Sequence, residues 1–159
     1  MSFVVIFLII ICSLFATAFF TKRRFGVLGL ALATGAMLSQ LWVGNLTPII
    51  ANAGIILVKP PLESVVSAAL ILLPAVVLLS SGPTYKSMPQ RVIGAVLFAM
   101  LAIALLLEPL GSALVIDNVG KPVYDFFVQQ RVLIVTVALV LAIGDLLLTK
   151  TPRHKPGKE

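Results

Sequence analysis

Asp145 sits in "VLAIGDLLLT", a run that is otherwise soluble in lipid. An ionisable side chain in such a run marks a solute pathway, a pairing with a cation, or a lipid or protein contact. Arg91, Arg23 and Arg24 are the cations that could reach it. Other chemistry is scarce. His154 is the sole histidine and Cys12 the sole cysteine, so no triad or metal cluster containing histidine and no intrachain disulfide can be assembled. Glu63, Glu108, Asp117 and Asp125 are far apart in the chain, with no spacing that makes a pair of carboxylates for acid–base work. The expectation is a protein that is not an enzyme, with no cofactor and no metal site.

The elements that must position Asp145 follow from composition. Of 159 residues 60% are apolar and 11% charged, with a mean hydropathy of +1.13. A soluble domain has roughly half apolar and a quarter charged residues. Apolar runs near the ~20 residues that cross a ~30 Å hydrocarbon core recur along the chain. They cover 3–20, 25–43, 65–80, 92–107 and 132–149. This predicts an all-α integral membrane protein, a single domain over 1–150 with a bundle of about five transmembrane helices. Residues 151–159 form a basic tail. The first run carries its cations after it, at Lys22, Arg23 and Arg24. A signal peptide carries them before, so despite Ala16-Thr17-Ala18 the run is read as a retained span.

The net charge of +6 falls in short segments between apolar runs, which makes the cations topology signals rather than a nucleic-acid surface. One side collects Lys22, Arg23, Arg24, Lys86, Arg91, Lys150, Arg153, Lys155 and Lys158, and the other Lys59, Lys121 and Arg131. Nine against three predicts the N-terminus outside and the C-terminus in the cytoplasm. Asp145 then lies five residues inside Lys150, or ~7 Å along a helix. At that shallow depth an interhelical polar contact is the better reading and a transport site the weaker one.

Packing signals are local. Gly26, Gly29, Ala33 and Ala36 make a small-residue face on the second run, and Gly94, Ala95, Ala99 and Ala102 another on the fourth. Such faces let helix backbones approach closely in lipid, which makes these two helices the best candidates for a packed pair, the partner of the second being another span or another copy. Pro74 should kink the third span. The segment 45–61, "NLTPIIANAGIILVKPP", reads either as a re-entrant or interfacial stretch or as an extension of its neighbours. The segment 116–131 spaces its apolar residues as an amphipathic helix along the outer leaflet, the alternative being a loop into the fifth span. Gln40, Trp42 and Asn45 look like interface anchors, because a binding site there needs a second polar group that the sequence does not assign. The tail, with Lys150, Arg153, Lys155 and Lys158, would attract anionic lipids.

Two stretches, "KRRFGVLGLALATG" after the first span and "RVIGAVLFAMLAIALLL" later, resemble the colicin V production protein family over roughly Met1 to Leu107. That resemblance implies an inner-membrane protein without an established enzymatic activity, associated with secretion or envelope maintenance. The expected function is a non-enzymatic multi-pass scaffold or assembly partner in the cell envelope, working with a membrane protein partner or as a homo-oligomer. The alternative is a protomer of a small oligomeric transporter or channel.

Overall fold

The computed structural model describes residues 3–54, 57, 60–80, 83–85, 87–114 and 116–148. These residues form five helices: α1 (Phe3–Thr21), α2 (Phe25–Asn52), α3 (Leu62–Ser80), α4 (Met88–Ala113) and α5 (Lys121–Leu147). All five are long and apolar enough to cross a membrane. α1, α3 and α5 finish, and α2 and α4 begin, at one end of the bundle. Lys22, Arg23, Arg24 and Arg91 gather there, and it is called the basic end below.

α2, α4 and α5 outrun their apolar cores. α2 continues through Pro48 to Asn52, so the first half of the 45–61 segment extends a span instead of forming a separate re-entrant element. The 116–131 segment is not a separate helix, since 116–120 are a short loop and turn into the fifth span. From Lys121 it is the opening of α5 itself, with Pro122 in the first turn, where its missing N–H costs nothing. Asp117 starts that turn by accepting the Gly120 N–H at 2.8 Å on Oδ1.

α4 is the axis of the bundle. In its most apolar window 67% of residues are buried, against 11% in α5. Phe98, Leu101, Ala102 and Leu106 fill the core between α4 and its neighbours, and Ala99 lies among them. Towards the far end Phe3 and Phe7 of α1 pack with Ile103 and Leu107 of α4. Tyr124 meets the Phe3 ring edge-on at 6.1 Å, so it joins α5 to α1.

The small-residue faces do not pair α2 with α4 as expected, because α2 meets α3 and α5 more extensively. Gly26 and Gly29 lie against Ala142 of α5, where an added Cβ would stand 2.6 Å from the Ala142 carbonyl oxygen and 3.0 Å from its Cβ. Gly94 of α4 receives the ring of Tyr85. Ala33 is half-buried. The tightest approach to another helix's backbone is at Gly35, outside the small-residue pattern of the sequence, where a Cβ would first meet the Ile71 carbonyl oxygen. A Cβ there would lie 2.8 Å from the Leu70 carbonyl oxygen and 2.8 Å from the Ile71 carbonyl carbon. Pro74 lies within α3 and has no N–H to give the Leu70 carbonyl. That carbonyl is one of two that face Gly35, the Ile71 carbonyl oxygen being the nearer, and the close approach suits Cα–H···O contacts.

Candidate functional site

Asp145 is built into the start of α2. A helix leaves its first N–H groups without intrahelical partners and its N-terminus partly positive. Arg24, at the N-cap, makes no side-chain capping bond. The first helical residues are served from elsewhere. The Gly26 N–H donates to Asp145 Oδ2 at 2.9 Å, and the Phe25 N–H donates to the Tyr85 hydroxyl at 3.1 Å. Arg24 Nη2 donates to Asp145 Oδ1 at 2.9 Å and to the Asp145 carbonyl at 3.1 Å. Its guanidinium also lies 5.5 Å from the centre of the Tyr85 ring. Both charged side chains are only 18% exposed, so the pair is shielded from solvent screening.

The three candidate arginines part company at this end. Arg24 forms the ion pair with Asp145. Arg23 donates through Nε to the Leu79 carbonyl at 3.0 Å and through Nη2 to the Ser80 carbonyl at 2.8 Å, closing the last turn of α3. Arg91 donates to the Phe19 carbonyl at 3.0 Å near the end of α1, with its guanidinium 4.7 Å from the Phe19 ring centre. Each cation thus faces carbonyls at the negative end of a helix. The connections themselves are joined. Tyr85 N–H donates to the Lys22 carbonyl at 2.8 Å and Arg24 N–H to the Pro83 carbonyl at 3.2 Å, about the antiparallel bridge of Arg23 with Thr84.

Burial raises the Tyr85 phenol above its ordinary value of 10.0. The Asp145 charge and its hydrogen bond act in the same direction, while the Phe25 N–H and Arg24 oppose them. A raised acid favours the protonated, folded form, so its contribution is full below the free-tyrosine value and is lost as pH rises through the folded one. With Tyr124→Phe removing the other tyrosine, Tyr85 is expected to ionise at higher pH than free tyrosine when phenolate absorbance is followed. Ionisation at or below the free value would contradict the buried contact.

The far end holds a different constellation. A cleft of about 430 Å³ opens among α2, α3, α4 and α5. Ser39 and Ser67 bridge α2 to α3 at 2.7 Å, and Ser64 and Ser112 bridge α3 to α4 at 2.7 Å. Arg131 of α5 meets Glu108 of α4 at 3.4 Å, with both side chains open to the cleft. Glu63 and Gln40 stand on its wall, and Ala36, Ile71 and Leu105 line it with apolar surface. The second polar group that Gln40 lacked in the sequence is therefore present, supplied by α3 and α4. Ser64 and Ser67 are one helical turn apart, which is the signal that a joint reading with Ser39 would have used.

Fold and site define an all-helical protein of multi-pass membrane type, clasped by charge at one end and opened by a polar cleft at the other. No protein-family model matches the chain, and comparison with curated proteins and with solved structures finds no match. The basic tail and its anionic-lipid contact fall outside the described residues. The described His, Cys, Asp and Glu residues form no group of three or more that could hold a metal ion.

Proposed function

We propose that the protein is a non-enzymatic multi-pass inner-membrane scaffold or assembly partner in the cell envelope or secretion. Its N-terminus is outside and its C-terminus in the cytoplasm. The observation that carries this reading is the use made of the ionisable groups at the basic end. Asp145, Arg24, Arg23 and Arg91 close helix termini and join helices, which suits a rigid body that presents surfaces to others. The nine-to-three distribution of Lys and Arg supports the orientation. The likeness of residues 1–107 to the colicin V production protein family supports the envelope role. Its partners are the bilayer, a second membrane protein or another copy, and anionic lipids at the tail.

A second reading, a small transporter or channel protomer, is favoured by the far-end cleft, since a solute vestibule would need such an opening. In that reading the pathway would be built by oligomerisation.

Photo-crosslinkers placed along α5, the least covered helix, test the leading reading in native membranes. A defined envelope protein, or a second copy, is expected at consecutive positions of one α5 face. Absence of any protein adduct along the whole helix overturns it. The same membranes report orientation in a Cys12→Ser background, with a cysteine at position 121 labelled from outside and one at position 86 protected.

A further inference from the structure

We infer that the far-end cleft binds a zwitterionic phospholipid whose headgroup carries a primary ammonium beside its phosphodiester, as phosphatidylethanolamine does. The inference deepens the scaffold reading by giving it a lipid ligand, and it rests on the helices spanning a bilayer.

Depth is the first reason. Counted from the basic end, Glu108 lies ~30 Å along α4, the far headgroup level of a ~30 Å hydrocarbon core. Arg131 lies ~24 Å along α5, about 6 Å below that level, a depth from which its long side chain reaches the headgroups. Ser39 and Ser67 lie ~20 Å from that end. The cleft therefore runs from headgroup level about 10 Å into hydrocarbon. Its volume of about 430 Å³ falls in the range of small-molecule sites.

Chemistry is the second reason. A wholly polar solute would leave Ala36, Ile71 and Leu105 facing it, and a wholly apolar one would cover Glu63 and the Glu108–Arg131 pair with hydrocarbon and remove their water. An amphiphile satisfies both parts. Among the described residues that line the cleft, Glu63 and Glu108 against Arg131 leave one excess negative charge, which favours a headgroup containing a cation over a purely anionic one. The Glu108–Arg131 contact is long at 3.4 Å, and its side chains are 78% and 36% exposed, so little opposes its opening. Arg131 can then take the phosphodiester, while Glu108 and Glu63 accept from the ammonium. An ammonium has N–H donors to give these carboxylates. A trimethylated headgroup has none, and a glycerol headgroup has no cation.

The full-length protein, purified in detergent with equimolar phosphatidylethanolamine, phosphatidylcholine and phosphatidylglycerol, is tested by native mass spectrometry. Retention of phosphatidylethanolamine is expected to exceed that of either other lipid by about tenfold, about 1.4 kcal/mol. The Glu63→Gln/Glu108→Gln variant should bring the three lipids close to parity. Ala36→Phe fills the apolar floor without altering any charge and should abolish retention, so the outcome does not depend on the double variant folding. Equal retention of the three lipids by the parent overturns the inference, and so does an unchanged preference in folded Glu63→Gln/Glu108→Gln. Free phosphoethanolamine competing as well as the lipid would assign the site to a soluble ligand and overturn the lipid assignment. Loss of the lipid preference with α5 crosslinks intact refutes this site alone. Loss of the crosslinks with lipid retained refutes the scaffold reading alone.

Discussion

Asp145→Ala is expected to destabilise the bundle by about 2–3 kcal/mol, below the cost of breaking a fully buried ion pair because the side chains keep some access to solvent. The carboxylate accepts from the Gly26 N–H and from Arg24 at once. Its removal leaves a helix N-terminal donor without its acceptor and the guanidinium with only the residue 145 backbone carbonyl. Arg24 already has a buried Nε that lacks a hydrogen-bond partner among the described residues. Denaturant titration in mixed micelles measures the loss. The Arg24→Ala/Asp145→Ala double variant should be less destabilised than the sum of the single changes, with a coupling of about 1 kcal/mol or more. A parent-like Asp145→Ala protein would mean that the contact does not hold α5 to the start of α2.

The other large effect is expected from one methyl group. Gly35→Ala should cost about 2–3 kcal/mol, since the new Cβ meets backbone atoms of Leu70 and Ile71 that no rotamer change can clear. α2 and α3 would have to separate, which also pulls at the Ser39–Ser67 hydrogen bond one turn away. Gly44, in the same helix, has open space around it, with nothing within 4 Å of where a Cβ would stand. Gly44→Ala is therefore the control, and it should leave stability unchanged or raise it by up to about 1 kcal/mol. Equal responses at the two glycines would show that helix propensity, and not close packing, governs this face.

The spans were legible because a lipid-crossing helix needs only length and apolarity, and both are local. Their ends were not. The 45–61 segment could be read as re-entrant or as an extension of its neighbours, and α2 passes through Asn45, Thr47 and Pro48, because a helix that has left the hydrocarbon can continue where water serves its polar groups. Asp145 could be assigned to the basic end from charge counting, but choosing among Arg23, Arg24 and Arg91 required the rotation of each helix. Gly26 and Gly29 decide it by bringing α2 against Ala142 of α5, which places Arg24 beside the carboxylate. Gly35 gives no local signal, because its importance depends on the Leu70 and Ile71 carbonyls of another helix. The far-end cleft is hidden for a similar reason. Ser39, Ser64, Ser67 and Ser112 are ordinary singly and become a site only when three helices bring them to one level.

The arginine caps at the basic end also bear on how this chain can drift by mutation. Lysine and arginine count alike as signals for insertion, so orientation alone would let the two exchange freely. Arg23 reaches two successive carbonyls with separate nitrogens, and Arg91 reaches one carbonyl while lying over a ring. A lysine's ammonium, a point charge without the planar fork, fits both arrangements less well. Selection at these positions would therefore preserve arginine itself and not merely positive charge, whereas Lys121, at the start of α5 away from this end, is free to vary within its charge class.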